Sequence, residues 1–376
     1  MRPLARDRSG IRRFLKVPYH IYAGDPNWVA PLLIDAAKVF SDANPFFEHA
    51  RMQLWIAEAQ GKPIGRIAGI IDDHFNQRHG PDTAIFGFFE CVNRPEAARA
   101  LFEAAARWAA DQGMRHLLGP LNPTANDECG LLVKGFHSPP VLMMPYNPPY
   151  YPALLEGTGF RKAKDLLAFY INLERSPLDK LRRLAEVCRR RHPEITFRPV
   201  RRRTVPGDLA LIKEVYNEAW EENWGFVPMT DAEIDFLAER LKPLLLEGFV
   251  WLAEDRGRPA AFMLALPDYN VAFRPMRGRV LSPGLFRALP YLLKLKHPKL
   301  ARVLAFGVKK NYRNRGLEAA MLAEALAVGL PLGFRAAEAS WILEDNLPMR
   351  RIIETFSGTP YKVYRIYEKP IEHAAE

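Results

Sequence analysis

Residues 54–63 read LWIAEAQGKP, and residues 250–259 read VWLAEDRGRP. The two stretches lie 196 residues apart, and the same spacing relates Asn27-Trp28 to Asn223-Trp224. Tryptophan occurs seven times in the chain, so two aligned Trp pairs indicate duplication rather than coincidence. Each stretch has a strand pattern, a Gly-containing turn, and a proline at a strand start, where its missing N–H is tolerated. The repeat predicts two copies of one domain, each built around a β-hairpin.

The elements around the hairpins follow one order in both halves. A helical segment precedes each hairpin, and strand, helix, strand, helix and strand follow it. In the first half, Pro18 predicts a kink or break in the opening helix. Asn93 and Glu96 predict a capping box for the helix after the hairpin. The predicted domains are residues 1–175 and 196–376, joined by a linker helix over residues 176–195.

The positive charge of the chain is concentrated near this linker. The net charge is +10, and residues 176–204 hold 10 Lys and Arg against 3 Asp and Glu. Neither predicted domain is basic as a whole, which argues against a nucleic-acid-binding face. The basic segment is either a solvated connector or a contact for an acidic partner such as RNA, lipid headgroups or phosphates.

Composition narrows the class of protein further. No stretch approaches the ~20 uncharged apolar residues of a membrane-spanning helix, and the charged N-terminus lacks the apolar core of a secretion signal. The three cysteines are widely spaced and suit neither a disulfide framework nor a zinc site. We therefore expect a cytoplasmic protein with no metal and no membrane span.

The sharpest local motif lies in the second half, where residues 308–320 read VKKNYRNRGLEAA. A predicted strand ends at Val308, a basic loop follows, and Gly316 opens an Ala- and Leu-rich helix. The first backbone N–H groups of a helix have no internal partner, and the helix dipole favours an anion there. The motif predicts a phosphate-binding loop, although a helix start with solvated basic residues would have the same pattern.

This loop resembles the Arg/Gln-x-x-Gly-x-Gly/Ala loop of the GNAT superfamily of acyl-CoA-dependent N-acetyltransferases. The stretch from Ser340 to Asn346, followed by a helix with Met349, resembles the closing motif of that superfamily. The element order of both halves matches it as well, so the sequence is identified as a tandem member. The resemblance implies an α/β fold of two GNAT-like domains, each a mixed, mainly antiparallel central sheet flanked by helices. It also implies acetyl-CoA or another acyl-CoA as co-substrate.

The resemblance also implies roles for individual residues. The backbone of Val308 would pair with pantetheine between two splayed strands, and Asn346 would lie near the thioester. The pyrophosphate would be held by the backbone of one continuous stretch: Arg313, Asn314, Arg315, Gly316, Leu317, Glu318 and Ala319.

Two positions depart from the family pattern. Glu318 stands where the family usually has Gly or Ala, and Ile353 stands where it often has a general-acid Tyr. The first half has the shorter loop Val92–Ala97 instead, and we expect it not to bind coenzyme A.

Acyl transfer to an amine needs a base for the amine proton and an acid for the leaving thiolate. Glu338 on a predicted strand, and Glu344 with Asp345 just before Asn346, are candidates for the base. Tyr364, with Tyr361, is a candidate to replace the missing acid. The alternatives are a paired strand Glu, a loop-capping Glu and tyrosines used for packing.

Candidate substrate-binding residues lie in both halves. Asn122, Asn126 and Asp127 belong to a dense polar loop that follows a strand, a common place for function. Trp224, with Trp220 and Phe226, could wall an acceptor pocket. The alternatives are an ordinary turn-rich connector and structural Trp anchors.

These features favour an acyl-CoA-dependent N-acyltransferase, with acetyl as the first candidate group and the amine of a small molecule or peptide as acceptor. One alternative is an aminoacyl-tRNA-dependent transferase, in which residues 176–204 would contact tRNA phosphates. Another is a non-catalytic acyl-CoA-binding protein, which Ile353 at the usual Tyr position supports.

Overall fold

A computed structural model describes residues 1–356 and 358–372 of the chain. The chain folds into two compact units, each drawing on more than one segment. The first unit contains Met1–Leu166, Phe273–Leu285 and Lys362–Glu376, and the second contains Leu167–Ala272 and Phe286–Tyr361. The domain limits predicted at residues 175 and 196 stay a prediction.

The described strands and helices alternate along the chain. The strands are β1 (Arg2–Leu4), β2 (Ala50–Ala59), β3 (Lys62–Asp72), β4 (Thr83–Cys91), β5 (His116–Gly119), β6 (Leu121–Asn122), β7 (Glu128–Cys129), β8 (Leu131–Lys134), β9 (Arg161–Asn172), β10 (Ile195–Pro199), β11 (Val250–Asp255), β12 (Arg258–Pro267), β13 (Leu300–Val308), β14 (Ala336–Leu343) and β15 (Thr359–Pro370). The helices are α1 (Arg8–Ile21), α2 (Leu33–Val39), α3 (Asp73–His79), α4 (Pro95–Asp111), α5 (Tyr151–Glu156), α6 (Leu178–Arg191), α7 (Val205–Trp220), α8 (Asp231–Leu241), α9 (Asn270–Met276), α10 (Leu285–Leu292), α11 (Leu317–Gly329) and α12 (Leu347–Thr355).

The first unit is built on a sheet in the strand order β1-β2-β3-β4-β5-β15, with β8 also paired to β15. Its pairs are antiparallel except β4 with β5, which run parallel. Helix α4 covers one face, and its Leu101 and Phe102 are buried against Phe86 and Phe89 of β4. The unit therefore has a mixed, mainly antiparallel sheet.

The second unit repeats this plan with the strand order β14-β13-β12-β11-β10, in which only β13 and β14 run parallel. Successive residues of β12 point to opposite faces of the sheet. Ala261 and Met263 pack in the cluster that contains Leu317 of α11, whereas Phe262 packs with Val215 of α7. Helices therefore cover both faces, as the predicted fold class requires.

The two hairpins share their fine structure. In both turns the two central residues have positive φ, 51° and 74° at Gln60-Gly61 and 49° and 81° at Arg256-Gly257. This is the turn geometry that suits the twist of a hairpin. Each hairpin also carries a β-bulge, where the register shifts between Ala57 and Glu58 in the first copy and between Ala253 and Glu254 in the second. The predicted duplication therefore extends to a backbone irregularity that sequence spacing does not reveal.

In the first half, the predicted capping box at Asn93 was wrong, and the break that was one of the two outcomes predicted at Pro18 is absent. Helix α1 is continuous through Pro18, and the carbonyl of Phe14, for which Pro18 has no N–H, accepts from Nη1 of Arg66 at 3.1 Å. Helix α4 has Arg94 rather than Asn93 at its N-cap, with no side-chain cap bond. The predicted linker helix is present as α6, and it packs against α11 within the second unit.

We expect Arg66→Met to lower the unfolding midpoint of the first unit. The change leaves the Phe14 carbonyl without its donor and removes the cation that lies 3.6 Å from the largely buried Glu90. The cost of breaking a buried pair is about 3 kcal/mol. Calorimetry should show a clear fall for this variant and a shift near zero for Arg13→Met, which breaks an exposed pair with Glu58. Equal shifts for both would contradict this account of the helix.

Candidate functional site

The candidate site begins where β13 and β14 separate. Their parallel register covers Leu300–Val303 and Ala336–Ala339, after which β13 continues to Val308 and β14 to Leu343. At the far end of β13, Lys309 donates its N–H to the carbonyl of Ala260 on the other neighbour, at 3.0 Å. Hydrogen-bonded and non-bonded pairs alternate along antiparallel strands. The polar backbone groups of Val308 therefore point away from β12, toward the opening between the strands.

The basic loop after β13 leads directly into the N-terminus of α11. A short 3-10 turn spans Lys310–Tyr312, and Asn314 and Gly316 take left-handed conformations with φ of 63° and 81°. Gly316 is the N-cap of α11 and has no side chain with which to cap this end. The helix begins at Leu317, so the predicted start is confirmed. Uncapped amides at the positive end of a helix dipole form an anion-binding site.

The four cations of the loop have different surroundings. Lys309 contacts Glu214 and lies 3.6 Å from Glu218, both on α7. Lys310 lies 3.5 Å from Glu221 and 3.0 Å from Glu222. The two lysine charges are therefore offset by acidic residues of α7 and the turn after it.

The two arginines make weaker contacts. Arg313 donates to the carbonyls of Val308 and Ala219 at 3.4 and 3.5 Å, and Arg315 lies over the Tyr312 ring at 5.0 Å. Neither contact neutralises the guanidinium charge. Arg313 and Arg315 are therefore the cations best placed to add charge-assisted contacts to a phosphate.

Glu318 places a carboxyl group in the first turn of α11. Burial raises its pKa, and a hydrogen bond from its own backbone N–H opposes that rise. The same amide belongs to the set that would hold a phosphate. When ionised, Glu318 competes with an anion for this helix end.

Helix α6 borders the N-terminus of α11. A Cβ atom on Gly316 would lie 3.4 Å from Cβ of Cys188, and Arg189 pairs with Glu324 of α11 at 2.5 Å. A side chain at position 316 would therefore meet both an unfavourable backbone conformation and a close neighbour.

Glu338 lies at the centre of a buried polar cluster in the second unit. Its Oε1 accepts from Oγ of Ser340 at 2.6 Å, and its Oε2 accepts from the hydroxyl of Tyr361. Arg302, the register partner of Glu338 on β13, donates from Nε to Oγ of Ser340 at 3.0 Å and lies over the ring of Trp341. Glu338 is fully buried, whereas Tyr361 is only half-buried. The phenol is thus the accessible end of this network.

The residues of the closing motif have structural contacts. Asn346 is the N-cap of α12, and its Oδ1 accepts from the N–H of Met349 at 3.2 Å. The carbonyl of Glu344 accepts from Arg350 at 2.9 Å. Ile353, at the position of the usual family Tyr, is buried with Phe169 and Ala339. Sequence alone could not separate the capping use of Asn346 from a use at the thioester.

Tyr364 lies in the first unit, fully buried and in register with Leu132 of β8. The tyrosine beside Glu338 in the second unit is Tyr361. Their difference was hidden in the sequence because both lie on the same predicted final strand. Side chains alternate between the two faces of a strand, so the strand register decides which of the two tyrosines lies beside Glu338.

Aromatic side chains pack beside Val308. A Cβ atom on Gly307 would lie 2.5 Å from Cζ3 of Trp220, so this ring lies directly on β13. Trp220 packs against Tyr216 and Phe262 at ring-centre distances of 4.7 and 5.8 Å. Trp224 is half-buried in the turn that follows α7. Trp220 therefore contacts the strand that leads into the basic loop.

The first unit fills the corresponding position with its own side chains. Cys91 pairs with Gly65 as Val308 pairs with Ala261, which is the repeat-related residue. The N–H of Cys91 donates to the hydroxyl of Tyr151, and its carbonyl accepts from Tyr150, both at 2.9 Å. Both polar groups of the Val308 counterpart are thus already bonded.

A second segment occupies the opening between β4 and β5. A Cβ atom on Gly87 would lie 2.0 Å from the carbonyl oxygen of Leu121, and Oδ1 of Asn122 accepts from the N–H of Phe88 at 2.6 Å. Asn126 and Asp127, predicted with Asn122 as substrate-binding residues, lie in a turn organised by Thr124. The side chain of Asn122 therefore bonds within the first unit itself.

Residues 1–356 and 358–372 contain no group of three or more His, Cys, Asp or Glu side chains arranged to hold a metal ion. Within the same ranges, no helix combines the length and apolar character needed to cross a bilayer.

Known proteins match both the sequence and the fold. Residues 209–358 match the model of the Acetyltransferase (GNAT) family. Protein YghO of Escherichia coli (strain K12) is 35% identical over 97% of this chain and 94% of its own length. A bacterial ceramide synthase of Caulobacter vibrioides (strain NA1000 / CB15N) is 34% identical over 96% of this chain and 95% of its own.

A solved structure described as a tandem GNAT protein from the clavulanic acid biosynthesis pathway superposes with a TM-score of 0.61. It covers 99% of this chain and 98% of its own, at 14% identity, so the likeness concerns the fold. The duplicated sheet is consistent with the match to the family model and with the two bacterial relatives, which align over nearly their full length. The chain belongs to the GNAT acetyltransferase family and has the tandem GNAT fold.

Proposed function

We propose that the protein is an acyl-CoA-dependent N-acyltransferase whose coenzyme binds in the second unit. The observation that carries the proposal is the N-terminus of α11, opened by Gly316, beside a strand end whose polar groups face an opening. The backbone from Arg313 to Ala319 would hold the pyrophosphate, and Val308 would pair with the pantetheine amides. The thioester would supply an activated acyl group, which the acceptor amine attacks as the coenzyme leaves as a thiol.

The hydrogen bonds of the first unit support the proposal that the chain has a single coenzyme site, in the second unit. The hydroxyls of Tyr150 and Tyr151 already bond the backbone of Cys91, and Asn122 already bonds Phe88. A pantetheine arm there would have to displace these internal bonds, and each buried group left unpaired costs about 1–3 kcal/mol. We therefore propose that this unit serves structure or acceptor binding.

Glu338 and Tyr361 are the proposed acid–base pair of the second unit. The buried carboxylate already accepts a hydrogen bond from the half-buried phenol. An amine attacking the thioester would give its proton to the Tyr361 oxygen while the phenol proton passes to Glu338. The reverse transfer would then return a proton to the thiolate. Ser340 and Arg302 would hold the carboxylate in place.

The acceptor that we propose is a long-chain amine, with a long-chain acyl group as donor rather than acetyl. The support is the relative named as a bacterial ceramide synthase, which aligns over nearly the full length of both chains. A ceramide is the amide of a fatty acid with a long-chain amino alcohol, which is a product of N-acyl transfer. The reaction class and the fold of this chain agree with such a product.

The tRNA-dependent alternative has less support. In the basic segment, Arg189 pairs with Glu324, and Arg198 lies 2.7 Å from Asp208 and 2.8 Å from Glu254. The charges of these two arginines are offset within the second unit. Acidic residues around the segment weaken its attraction for phosphates.

Gly316→Asp should weaken coenzyme A binding by at least about tenfold, because it adds a side chain and a negative charge at the phosphate cradle. Gly257→Asp is the matched control, since Gly257 has the same φ of 81° in an open hairpin turn. Isothermal titration with coenzyme A and with palmitoyl-CoA measures the affinity of both variants and of the wild-type protein. Wild-type protein that binds neither compound, or two variants of equal affinity, would remove the proposed site.

Glu318→Gln should tighten coenzyme A binding about two- to fivefold, because it removes a charge from the helix end. Burial raises the pKa of Glu318, so the wild-type carboxyl is neutral at low pH and repels phosphate once ionised. Wild-type affinity should therefore fall as the pH rises through this pKa, and the variant should lack that component. Titrations across pH test this, with Glu324→Gln on the same helix as control. Identical pH profiles for wild type and Glu318→Gln would contradict it.

Tyr361→Phe and Glu338→Gln should each lower kcat by about 10²–10⁴-fold while coenzyme A affinity stays unchanged. Thiol release from palmitoyl-CoA with sphinganine measures turnover, and Tyr170→Phe, whose ring lies 5.9 Å from that of Tyr361, is the control. Full turnover by Tyr361→Phe would exclude the relay. Wild-type binding without thiol release across a panel of amines would instead support the non-catalytic alternative.

A further inference from the structure

The chain between β12 and β13 exposes large apolar side chains. In its second-unit part, Phe286 is 81% exposed, Leu295 79% and Leu293 59%, with Leu289 at 41%. Phe286, Leu289 and Leu293 are spaced i, i+3 and i+7, which places them on one side of a helix. The N–H of Leu293 donates to the carbonyl of Leu289 at 2.9 Å, so the helical spacing extends past Leu292. Ala288, on the other side, is fully buried.

The charge of this segment has a single sign. The sequence contains no Asp or Glu between Asp268 and Glu318. Arg287, Lys296 and Lys299 are exposed beside the apolar residues. Lys296 also lies 5.3 Å from the centre of the Tyr291 ring, which keeps its charge near the helix. The face therefore combines exposed apolar groups with cations that have no acidic neighbours along the chain.

This combination selects one kind of partner. A second copy of the chain would bring the same cations together, and like charges in an interface disfavour association. An anionic bilayer accepts apolar side chains at the boundary of its hydrocarbon and attracts Lys and Arg to its phosphates. Helix α10 has eight residues, far short of the ~20 that a span requires, so it can only lie at the surface.

We propose that the α10 face, formed by Phe286, Leu289, Leu293 and Leu295 with Arg287 and Lys296, docks on an anionic lipid bilayer. Docking gives the protein access to amphiphiles that partition into the bilayer. The inference goes beyond the proposed function and does not require it, because the surface is defined by exposure and charge alone.

The test is sedimentation of the full chain with vesicles, without any acyl-CoA. Vesicles of equal parts phosphatidylglycerol and phosphatidylethanolamine should carry wild-type protein down, and phosphatidylcholine vesicles should not. The triple variant Phe286→Ser, Leu293→Ser, Leu295→Ser should reduce the partition coefficient at least about tenfold. The control variant Ile34→Ser, Leu347→Ser removes apolar residues that are 68% and 50% exposed elsewhere and should bind as wild type does.

A charge variant, Arg287→Gln with Lys296→Gln, should lose most of the preference for phosphatidylglycerol and most of the salt dependence. Circular dichroism checks that each variant is folded. Wild-type protein that ignores phosphatidylglycerol vesicles would overturn the proposal. So would ultracentrifugation that shows a wild-type dimer lost in the triple variant, which would assign the face to a second copy. Neither result depends on thiol release, so the two proposals fail separately.

Discussion

The hydrogen-bond alternation of antiparallel strands is the constraint on which the site depends. Once Lys309 bonds to Ala260, the N–H and carbonyl of Val308 must point to the other side of β13. There the parallel partner has already turned away, since its register ends at Ala339. Buried backbone groups require partners. The Val308 carbonyl accepts a long hydrogen bond from Nε of Arg313, at 3.4 Å, and this strand edge is the one with which we propose that the pantetheine amides pair.

The first unit faces the same constraint and meets it internally. Its Cys91 occupies the position of Val308, but Tyr150 and Tyr151 bond both backbone groups. The Tyr151 hydroxyl also donates to Glu90 at 2.7 Å, as does that of Tyr22 at 2.6 Å. Burial raises the pKa of this carboxyl, with Arg66 opposing the rise. The duplicated scaffold is thus present in both copies, while in the first the corresponding strand edge is hydrogen-bonded within the unit.

Local signals predicted the scaffold, and long-range contacts decided what they missed. The hairpins, the loop and the start of α11 could be predicted, because each depends on neighbouring residues and a turn that requires positive φ. Helix α1 continues through Pro18, and the carbonyl that Pro18 leaves without a helical partner accepts from Arg66 on a distant strand. The pairing of Glu338 with Tyr361 rather than Tyr364 depends on strand register, which no local pattern determines. The sequence around Asn346 fits both a helix N-cap and a ligand contact, so it could not distinguish between these two roles.

The copies diverge at several places in the chain, and two of them concern the surface of the second copy. In the first copy, α3 alone connects β3 to β4, whereas α9 and α10 connect β12 to β13 in the second. The other place is the loop after β4 and, in the second copy, after β13. This loop is basic in the second copy, whereas in the first it ends at Pro95, where α4 begins. A stable core does not need an exposed Phe286, since exposed apolar surface leaves favourable burial unmade. The α10 face and the basic loop before α11 are the two features of the second copy on which the two proposals rest.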